Sequence, residues 1–265
     1  MPAFPHDGIS TWYERKGSGR PLMLVAGLAA DNAFWAPSLE ALAARHDVVM
    51  PDNRGAGRTT PLDAPAGIRA MADDCIALAD HLGFARFSVA GHSMGGMIAQ
   101  DLAIRHPGRV DKLVLASTAP WASPRDNALF ATWSDLFARI DRPLWFRNLF
   151  FWVLSPAFLG SAKAVDALVA LAAGYPYQQT PPAIAHQVAA IAAFDARAEL
   201  SALTARTLVM AGTRDLVFGI DAAAALAKSI PRATFAPIEG AAHSFPIESP
   251  QAFTERALEF LGEEA

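Results

Sequence analysis

The sequence predicts an α/β fold in which a mostly parallel, doubly wound sheet is interrupted by an inserted all-helical segment. Short apolar runs alternate with segments of helical periodicity up to residue 117 and again from residue 200, a pattern typical of a parallel sheet with helices on both faces. Runs such as 21–26 are apolar at every position, as strands buried on both faces are. Residues 118–199 contain only helical patterns. We therefore predict a core domain over 1–117 and 200–265 and a helical insertion over 118–199.

The predicted core strands are short segments rich in apolar residues and bounded by turn residues, of which 9–15 alternates loosely between apolar and polar. They are 9–15, 21–26, 46–51, 87–91, 111–117, 206–211 and 234–238. Apolar residues at three-to-four spacing predict core helices over about 37–45, 68–82, 94–105, 221–230 and 250–261. The same spacing predicts insertion helices over about 124–140, 143–154, 161–173 and 181–193. The first of these has Ser123 as its N-cap, Pro124 in its first turn and Asp126 to complete a capping box. We predict Asp221 as the N-cap of the helix that it begins.

Composition bounds the kind of protein. The chain has 265 residues, of which 52% are hydrophobic and 18% charged, as expected for a globular enzyme with a buried core. Its net charge is −4 and it contains no basic run, which argues against nucleic acid or an anionic membrane as a partner. Cys75 is the only cysteine, so no internal disulfide forms, and its apolar helical neighbours predict a core thiol.

The sequence also carries no targeting signal that we recognise. The first eight residues lack a basic region followed by an apolar one, so we predict no signal peptide. The most apolar stretch, 145–160, includes Arg147 and Pro156 and is too short to span a bilayer. We predict a soluble, cytoplasmic protein, either a monomer or a homodimer.

One strand turns directly into a helix at a serine. The run 87–91 ends in Gly91-His92-Ser93-Met94-Gly95, and helical spacing begins at Met94. This Gly-x-Ser-x-Gly pattern is the nucleophile elbow, a turn so sharp that side chains two residues on either side of the serine would clash. It also directs the Met94 backbone N–H, at the helix N-terminus, toward a site where an anion would form. The pattern predicts Ser93 as a nucleophile.

A serine nucleophile needs a histidine base and an acid to orient that base. On an elbow-type sheet the acid precedes the histidine, and each follows a strand end. Asp215 lies three residues beyond the strand 206–211 and its Gly212, and His243 follows the strand 234–238. Both positions fall at the carboxyl edge of the sheet, where ligands bind open α/β sheets. We predict a Ser93–His243–Asp215 triad, and a packing role for His92.

Other chemistry is poorly supported. The Gly55-Ala56-Gly57 segment lacks the third glycine and the following helix of a dinucleotide-binding loop. Histidines and carboxylates show no metal-ligand spacing. We predict neither a cofactor nor a metal.

The motifs together resemble the α/β-hydrolase-fold serine hydrolases. The matching stretches are Gly91–Gly96 with its elbow, Asp52–Gly57, Gly212–Asp215 and Gly240–His243. The resemblance runs over essentially the whole chain and places the helical insertion where the family carries its lid. It implies an α/β-hydrolase fold, Ser93 as nucleophile, His243 as base and then acid, and Asp215 as the orienting carboxylate. It also implies an oxyanion hole formed by the backbone N–H groups of Leu28 and Met94.

Departures from the family pattern narrow the reaction. Members often have His-Gly after the first apolar strand, where this chain has Ala26-Gly27. Enol-lactonases acting on 3-oxoadipate and aminoacrylate hydrolases, which this chain resembles, also vary there, which favours small acid-derived substrates. The elbow residue is serine rather than the aspartate of haloalkane dehalogenases and epoxide hydrolases. Carbon–carbon bond hydrolases usually have tryptophan after the histidine, where this chain has Ser244.

The resemblance leaves three activities open. The first is a carboxylic-ester hydrolase or lactonase that acts through an acyl-enzyme. The second is a cofactor-free haloperoxidase or perhydrolase, although these commonly have an aromatic residue where this chain has Leu28. The third is a ligand sensor with little turnover. We predict the first, with a small ester or lactone as substrate.

Aromatic residues are concentrated in the insertion, which holds 13 of the 25 in the chain. Most of them are expected to pack the insertion onto the sheet, and some to face Ser93, because ligand pockets are largely apolar. We assign Trp121, Trp145 and Phe218 to the substrate pocket. The insertion also offers cations to a substrate carboxylate, namely Arg125, Arg139, Arg142, Arg147 and Lys163.

Overall fold

The computed structural model describes residues 3–263. Four residues lie outside this range. They are Met1 and Pro2, which belong to the first eight residues for which we predict no signal peptide, and the last two residues of the predicted core domain. The centre of the molecule is an eight-stranded sheet in the order β1-β2-β4-β3-β5-β6-β7-β8. Its strands are β1 (Ala3–His6), β2 (Ile9–Gly17), β3 (Arg20–Val25), β4 (His46–Pro51), β5 (Phe87–His92), β6 (Val110–Ala116), β7 (Arg206–Gly212) and β8 (Ala233–Ile238).

Only β2 runs against the other strands of the sheet. β1 pairs antiparallel with β2 and β2 antiparallel with β4, whereas the pairs from β4 through β3, β5, β6 and β7 to β8 are all parallel. Parallel strands need crossover connections, and helices supply them here. The core helices are α1 (Ala36–Ala43), α2 (Ile68–His81), α3 (Met94–Arg105), α9 (Ile220–Ser229), α10 (Phe245–Glu248) and α11 (Pro250–Gly262).

Five helices lie between β6 and β7. They are α4 (Pro124–Arg139), α5 (Arg142–Val153), α6 (Pro156–Leu159), α7 (Ala162–Ala173) and α8 (Pro181–Ala193). Ser123 and Asp126 form the reciprocal capping box that the sequence predicts for α4. Asp141 and Thr180, which were not predicted as caps, accept backbone N–H groups in the first turns of α5 and α8. The chain therefore leaves the sheet after β6, builds a helical insertion and returns at β7.

The two faces of the sheet bury separate cores because side chains of a strand alternate between them. In β3, Leu22 and Leu24 belong to the core covered by α1 and α11. Their neighbours Met23 and Val25 belong to the core covered by α2, α3, α9 and part of the insertion. All four side chains are buried. The continuous apolar run of β3 follows from this burial on both faces, and the predicted α/β fold is confirmed.

Individual elements differ from the prediction in small ways. β1 and the short helices α6 and α10 were not predicted, because each is only four residues long. The predicted N-cap Asp221 is wrong: α9 begins one residue earlier, and its N-cap is Gly219, at φ +80° with no side-chain cap. Asp221 instead lies in the first turn of α9, where its charge complements the helix dipole. Cys75 is buried, as predicted, and burial raises the pKa of its thiol.

A buried ion pair fixes the segment that follows β4. The Arg54 guanidinium donates two hydrogen bonds to Asp74 of α2, at 2.7 and 2.8 Å, and a third to Asp7 at 2.8 Å. Arg54 and Asp74 are both buried. A bidentate pair of this kind has a defined geometry, so it fixes residues 53–57 against α2 and beside the carboxyl edge of the sheet.

Candidate active site

Ser93 lies at the turn between β5 and α3 in strained backbone geometry. Its backbone angles, φ +55° and ψ −119°, are values that a residue other than glycine rarely adopts. A Cβ on Gly91 would lie 2.2 Å from the Gly95 carbonyl oxygen, and a Cβ on Gly95 would lie 2.1 Å from the Val25 oxygen. Both distances are far inside van der Waals contact. The two glycines therefore allow the close strand–helix approach that holds the serine, which is the physical content of the elbow motif.

Two backbone N–H groups beside Ser93 have no acceptor. Over residues 3–263, neither the Leu28 nor the Met94 N–H donates a hydrogen bond to another group of the protein. For Met94 the reason is its place in the first turn of α3, where N–H groups have no intrahelical acceptor. Leu28 lies in the loop that follows β3, residues 26–31, which we call the 26–31 loop. Ser93 and Leu28 line the same cavity, and Met94 follows Ser93 directly in the chain.

His243 and Asp215 form a buried pair. His243 Nδ1 donates to Asp215 Oδ2 at 2.9 Å, and the Val217 N–H donates to Asp215 Oδ1 at 2.8 Å. Burial by itself would raise the pKa of Asp215, but the imidazole and these two hydrogen bonds outweigh it and hold the pKa below its usual value. The carboxylate is therefore charged at neutral pH. By accepting the Nδ1–H, it favours the His243 tautomer whose proton is on Nδ1, which leaves the lone pair of Nε2 free.

The imidazole of His243 faces the cavity that Ser93 also lines. Within the described residues, Ser93 Oγ and His243 Nε2 are not hydrogen-bonded to each other. Such bonds are often long in a site without substrate and shorten when substrate binds. The structure thus brings the three predicted residues to one edge of the sheet, with the acid–histidine contact formed.

The segment that carries His243 is held on both sides. The Glu248 carboxylate of α10 accepts the Ala242 N–H. It also accepts the N–H of Ser155, a residue of the helical insertion, at 2.9 Å. The Ser244 N–H donates to the Val153 carbonyl of α5 at 2.8 Å. The insertion therefore contacts the histidine segment through main-chain hydrogen bonds.

His92 supports His243 from below, in agreement with its predicted packing role. Its Nε2–H donates to the His243 carbonyl at 2.9 Å, and its ring stacks on Phe34 with centroids 4.4 Å apart. Desolvation, with the nearby His243 imidazole, lowers the pKa of His92 to about 3. His92 is therefore neutral at physiological pH and acts as a hydrogen-bond donor to the main chain.

The 26–31 loop is held without the histidine that the family often has at position 26. Asn53 Nδ2 donates to the Ala26 carbonyl at 2.9 Å. Just beyond the loop, the Asn32 N–H and side-chain amide donate to Asp52 at 2.9 and 2.7 Å. Asp52 is buried, and desolvation raises its pKa to about 6 despite these hydrogen bonds. Asp52 and Asn53 therefore hold the 26–31 loop and the residue that follows it in place.

A cavity of about 260 Å³ opens over Ser93 and His243. One part of its wall is apolar and comes from the insertion helices α4 and α5; it consists of Trp133, Phe137, Trp145, Phe146, Leu149 and Phe150. Another part is polar and comes from the 26–31 loop and the segment between α7 and α8; it consists of Asp31, Tyr175, Tyr177, Gln178 and Gln179. The cavity is therefore mainly apolar, and its polar side chains lie in this second part and around Ser93 and His243.

Of the three aromatic residues assigned to the pocket, only Trp145 lines it. The assignment of Trp121 is wrong, because this residue pairs with Asp195 where the insertion begins and ends, and the Arg197 guanidinium lies 4.0 Å above its ring. Phe218 does not line the cavity either. It packs between Phe130 and His243, with ring centroids 5.8 and 6.0 Å away, so it supports the site from outside.

Asp31 and Tyr175 form the polar part of the wall that the sequence did not reveal. Asp31 is buried and accepts the Ala33 N–H at 2.9 Å. Burial, together with the Asp31 carboxylate, raises the pKa of Tyr175, so its hydroxyl stays protonated beside the acid. The two residues are 144 positions apart in sequence, and neither lies in a motif. The only hint is that Asp31 follows β3 at the carboxyl edge of the sheet.

The lysine and arginine residues of the insertion that were considered as partners for a substrate carboxylate do not line the cavity. Among the described residues that line the cavity, none is a lysine or an arginine. Arg125 donates to the Leu216 and Val217 carbonyls, Arg142 stacks on the outer face of Phe137, and Arg147 pairs with Asp166. Asp31 is the only acidic residue among the described residues that line the cavity.

Over residues 3–263 we found no cluster of three or more histidine, cysteine or acidic side chains with the geometry to hold a metal ion. In the same part of the chain, no helix combines the length and the apolar character that crossing a membrane requires.

Comparison with known proteins agrees with this fold. Residues 20–250 match the model of the alpha/beta hydrolase fold family. A relative from Azorhizobium caulinodans, provisionally named carbamate hydrolase RutD, is 32% identical over 99% of both chains. The enol-lactonase from Burkholderia xenovorans LB400 superimposes with a TM-score of 0.89 at 25% identity, covering 99% of this chain and 100% of its own.

A thermophilic esterase from Thermogutta terrifontis has a TM-score of 0.86 at 26% identity, with 98% of this chain and 96% of the esterase covered. These proteins differ in substrate but share hydrolysis and the fold. With a family match over most of its length, this chain belongs to the α/β-hydrolase fold family and is a hydrolase.

Proposed function

We propose that this hydrolase cleaves small, largely apolar carboxylic esters or lactones through an acyl-enzyme on Ser93. The observation that carries the proposal is the His243–Asp215 hydrogen bond, 2.9 Å long and buried, at the wall of a cavity that Ser93 also lines. Two free N–H donors beside the serine supply what an acyl-transfer site needs besides nucleophile and base.

Each residue would have a defined part in the reaction. Ser93 Oγ attacks the carbonyl carbon while His243 Nε2 takes its proton, and the Leu28 and Met94 N–H groups bind the oxyanion. Collapse of the tetrahedral intermediate breaks the bond to the alcohol oxygen, which receives the proton from His243. Water then attacks the acyl-enzyme by the same route, with His243 as base, and releases the carboxylic acid and Ser93. Asp215 holds the imidazole in position and stabilises its charge during both steps.

The wall of the cavity supports a neutral, apolar acyl or alcohol group. Apolar groups gain about 25 cal/mol for each Å² removed from water, and the aromatic wall from α4 and α5 provides such a surface. The absence of a lysine or arginine among the described wall residues argues against a substrate with a free carboxylate. The Asp31 carboxylate would also repel a second anion, so the cavity supports a neutral substrate more than the small acid-derived substrate that the sequence favoured.

Carbamate hydrolysis is the second candidate, and the name given to the 32% identical relative favours it. The same Ser93 chemistry would cleave a carbamate carbonyl. A small unsubstituted carbamate would leave the aromatic wall unfilled, however, so the cavity favours the ester or lactone.

A substrate panel separates these candidates. We expect p-nitrophenyl butyrate to be hydrolysed with a kcat/KM at least about 10-fold above that for p-nitrophenyl hydrogen succinate and above that for a p-nitrophenyl N-methylcarbamate. Ser93→Ala should reduce turnover of all three by at least about 10³-fold. A carbamate preferred over the butyrate would favour the second candidate.

Two further assays, beside the ester panel, test the haloperoxidase or perhydrolase alternative and the sensor alternative. Formation of peracid from acetate and hydrogen peroxide faster than ester hydrolysis would favour the first. Saturable ligand binding without ester turnover would favour the second.

A further inference from the structure

The helical insertion packs against the 26–31 loop, which carries the Leu28 N–H, and forms a hydrogen bond with it. Ala29 adopts φ +59°, a left-handed conformation that is uncommon for a residue with a Cβ. Its methyl group packs against a small buried cluster of insertion side chains, Phe137, Trp145 and Ile184. A glycine would adopt this φ more easily, so the conformation of the loop depends on contacts outside it.

Gln187 of α8 makes the polar contact with this loop. Its side chain is fully buried. Nε2 donates to the Arg54 carbonyl at 2.9 Å, and Oε1 accepts the Ala29 N–H at 3.4 Å. The amide cannot be turned over without losing both bonds, because Nε2 would then face an N–H and Oε1 a carbonyl. One side chain of the insertion thus joins the Arg54 segment to the 26–31 loop.

The position of Gln187 is itself fixed on both sides. A Cβ on Gly55 would lie 3.0 Å from the Ala183 Cβ of α8, so this helix packs directly against the backbone of residues 53–57. Gln179, just before α8, donates to the Gly55 carbonyl at 2.6 Å. The Arg54 carbonyl is held in turn by the bidentate pair with Asp74.

We infer that Gln187 is a positioning residue for the oxyanion-binding N–H of Leu28. The insertion would thereby orient a donor of the site in addition to forming part of the cavity wall. The inference rests on the proposed function. The peptide plane that contains the Ala29 N–H is adjacent to the plane that contains the Leu28 N–H, and only two dihedral angles separate them. Anchoring the first plane restricts the second, which must point at an oxyanion that exists only in the transition state.

The test is Gln187→Met, which preserves length and volume but removes both hydrogen bonds. We expect kcat for p-nitrophenyl butyrate to fall about 10- to 100-fold, somewhat less than the loss of one whole oxyanion donor, with KM changed less than about 3-fold. The inhibition constant of an alkyl trifluoromethyl ketone, which forms an oxyanion on the serine, should rise by the same factor as kcat falls. Binding of the product butyrate should not change.

Ile191→Val is the matched control for loosened packing of α8. Ile191 lies in the same helix, is buried in the core beneath the insertion and does not line the cavity. We expect it to lower Tm while kcat and the trifluoromethyl ketone inhibition constant stay at wild-type values. A loss of kcat in Ile191→Val as large as in Gln187→Met would overturn the specific role of Gln187.

Gln187→Glu adds a readout that a purely structural role would not move. When protonated, the buried carboxyl group can donate to the Arg54 carbonyl and accept the Ala29 N–H as the amide does, whereas the carboxylate cannot donate. We expect its kcat relative to wild type to rise as pH falls from 8 to 5.5, and the ratio for Gln187→Met to stay flat.

The failures of the two proposals are distinguishable. Normal wild-type ester turnover with unchanged kcat and unchanged ketone inhibition in Gln187→Met would overturn this inference alone. A wild-type protein that neither hydrolyses the ester nor binds the ketone would overturn the proposed function, and this inference with it.

Discussion

His92 donates its Nε2–H to the main-chain carbonyl of His243 across 2.9 Å, so the residue before the elbow serine holds the proposed base through its backbone. The two rings meet edge to face with centroids 4.9 Å apart. This contact links two residues 151 positions apart in the sequence. It also places a buried, uncharged histidine directly beneath the site.

The neutral state of His92 predicts how stability depends on pH. Its pKa is about 3 in the folded protein and 6.5 when unfolded. A histidine with a lowered pKa contributes stability above pH 6.5 that is lost as pH falls toward 3. Between pH 7 and 5 the loss from this residue is about 2 kcal/mol. In His92→Phe, urea unfolding should show a lower stability at pH 7 but a decline toward pH 5 that is smaller by about this amount. A decline as steep as that of wild type would contradict a buried neutral His92.

Asp215→Asn tests the orienting role of the acid. The Oδ1 contact with the Val217 N–H can remain, but an amide nitrogen facing His243 Nδ1 favours the tautomer that carries its proton on Nε2. That tautomer cannot accept the proton of Ser93. We expect kcat for p-nitrophenyl butyrate to fall about 10³- to 10⁴-fold with little change in Tm. A decrease of less than 10-fold at pH 7 would contradict the role given to Asp215.

Asp31→Asn tests the charge selectivity of the cavity. The variant keeps an oxygen to accept the Ala33 N–H but removes the negative charge from the polar part of the wall. We expect kcat/KM for p-nitrophenyl hydrogen succinate to rise about 10-fold relative to that for the butyrate. Asp166→Asn is the control, because Asp166 is exposed and pairs with Arg147 away from the cavity. An equal change in both variants would mean that the effect comes from net charge alone.

The Arg54–Asp74 pair predicts a large loss of stability. Removing Asp74 leaves the buried Arg54 guanidinium with the exposed Asp7 as its remaining acidic partner, and breaking a buried pair typically costs about 3–5 kcal/mol. We expect Asp74→Ala to lower the free energy of unfolding by this amount, and Asp166→Ala, at an exposed pair, by less than about 1 kcal/mol. Similar urea midpoints for the two variants would contradict the role assigned to the buried pair.

The strands and most helices could be predicted because local signals specify them. Val48, Val49 and Met50 are apolar because both faces of β4 are covered, and the capping residues Ser123 and Asp126 start α4 as their pattern indicates. Asp221 misled because aspartate favours both the N-cap and the first turn of a helix, and Gly219 at φ +80° starts α9 earlier.

The site could be predicted only where a motif specifies it. The elbow glycines identify Ser93 because the backbone leaves no room for a Cβ, and strand ends identify the positions of Asp215 and His243. Asp31, Tyr175 and Gln187 could not be found, because their contacts join segments distant in sequence and depend on how the insertion sits on the core. Trp121 was misassigned for the same reason: an aromatic residue in the insertion can pack against Arg197 as well as face a ligand.

The most direct test of the central claim is the intact mass of the protein after treatment with a fluorophosphonate, for wild type beside Ser93→Ala. An activated serine displaces fluoride and keeps the phosphonyl group. The account predicts a single adduct on folded wild type and none on the variant. No adduct on folded wild type, or an equal adduct on Ser93→Ala, would contradict the assignment of Ser93 as the nucleophile.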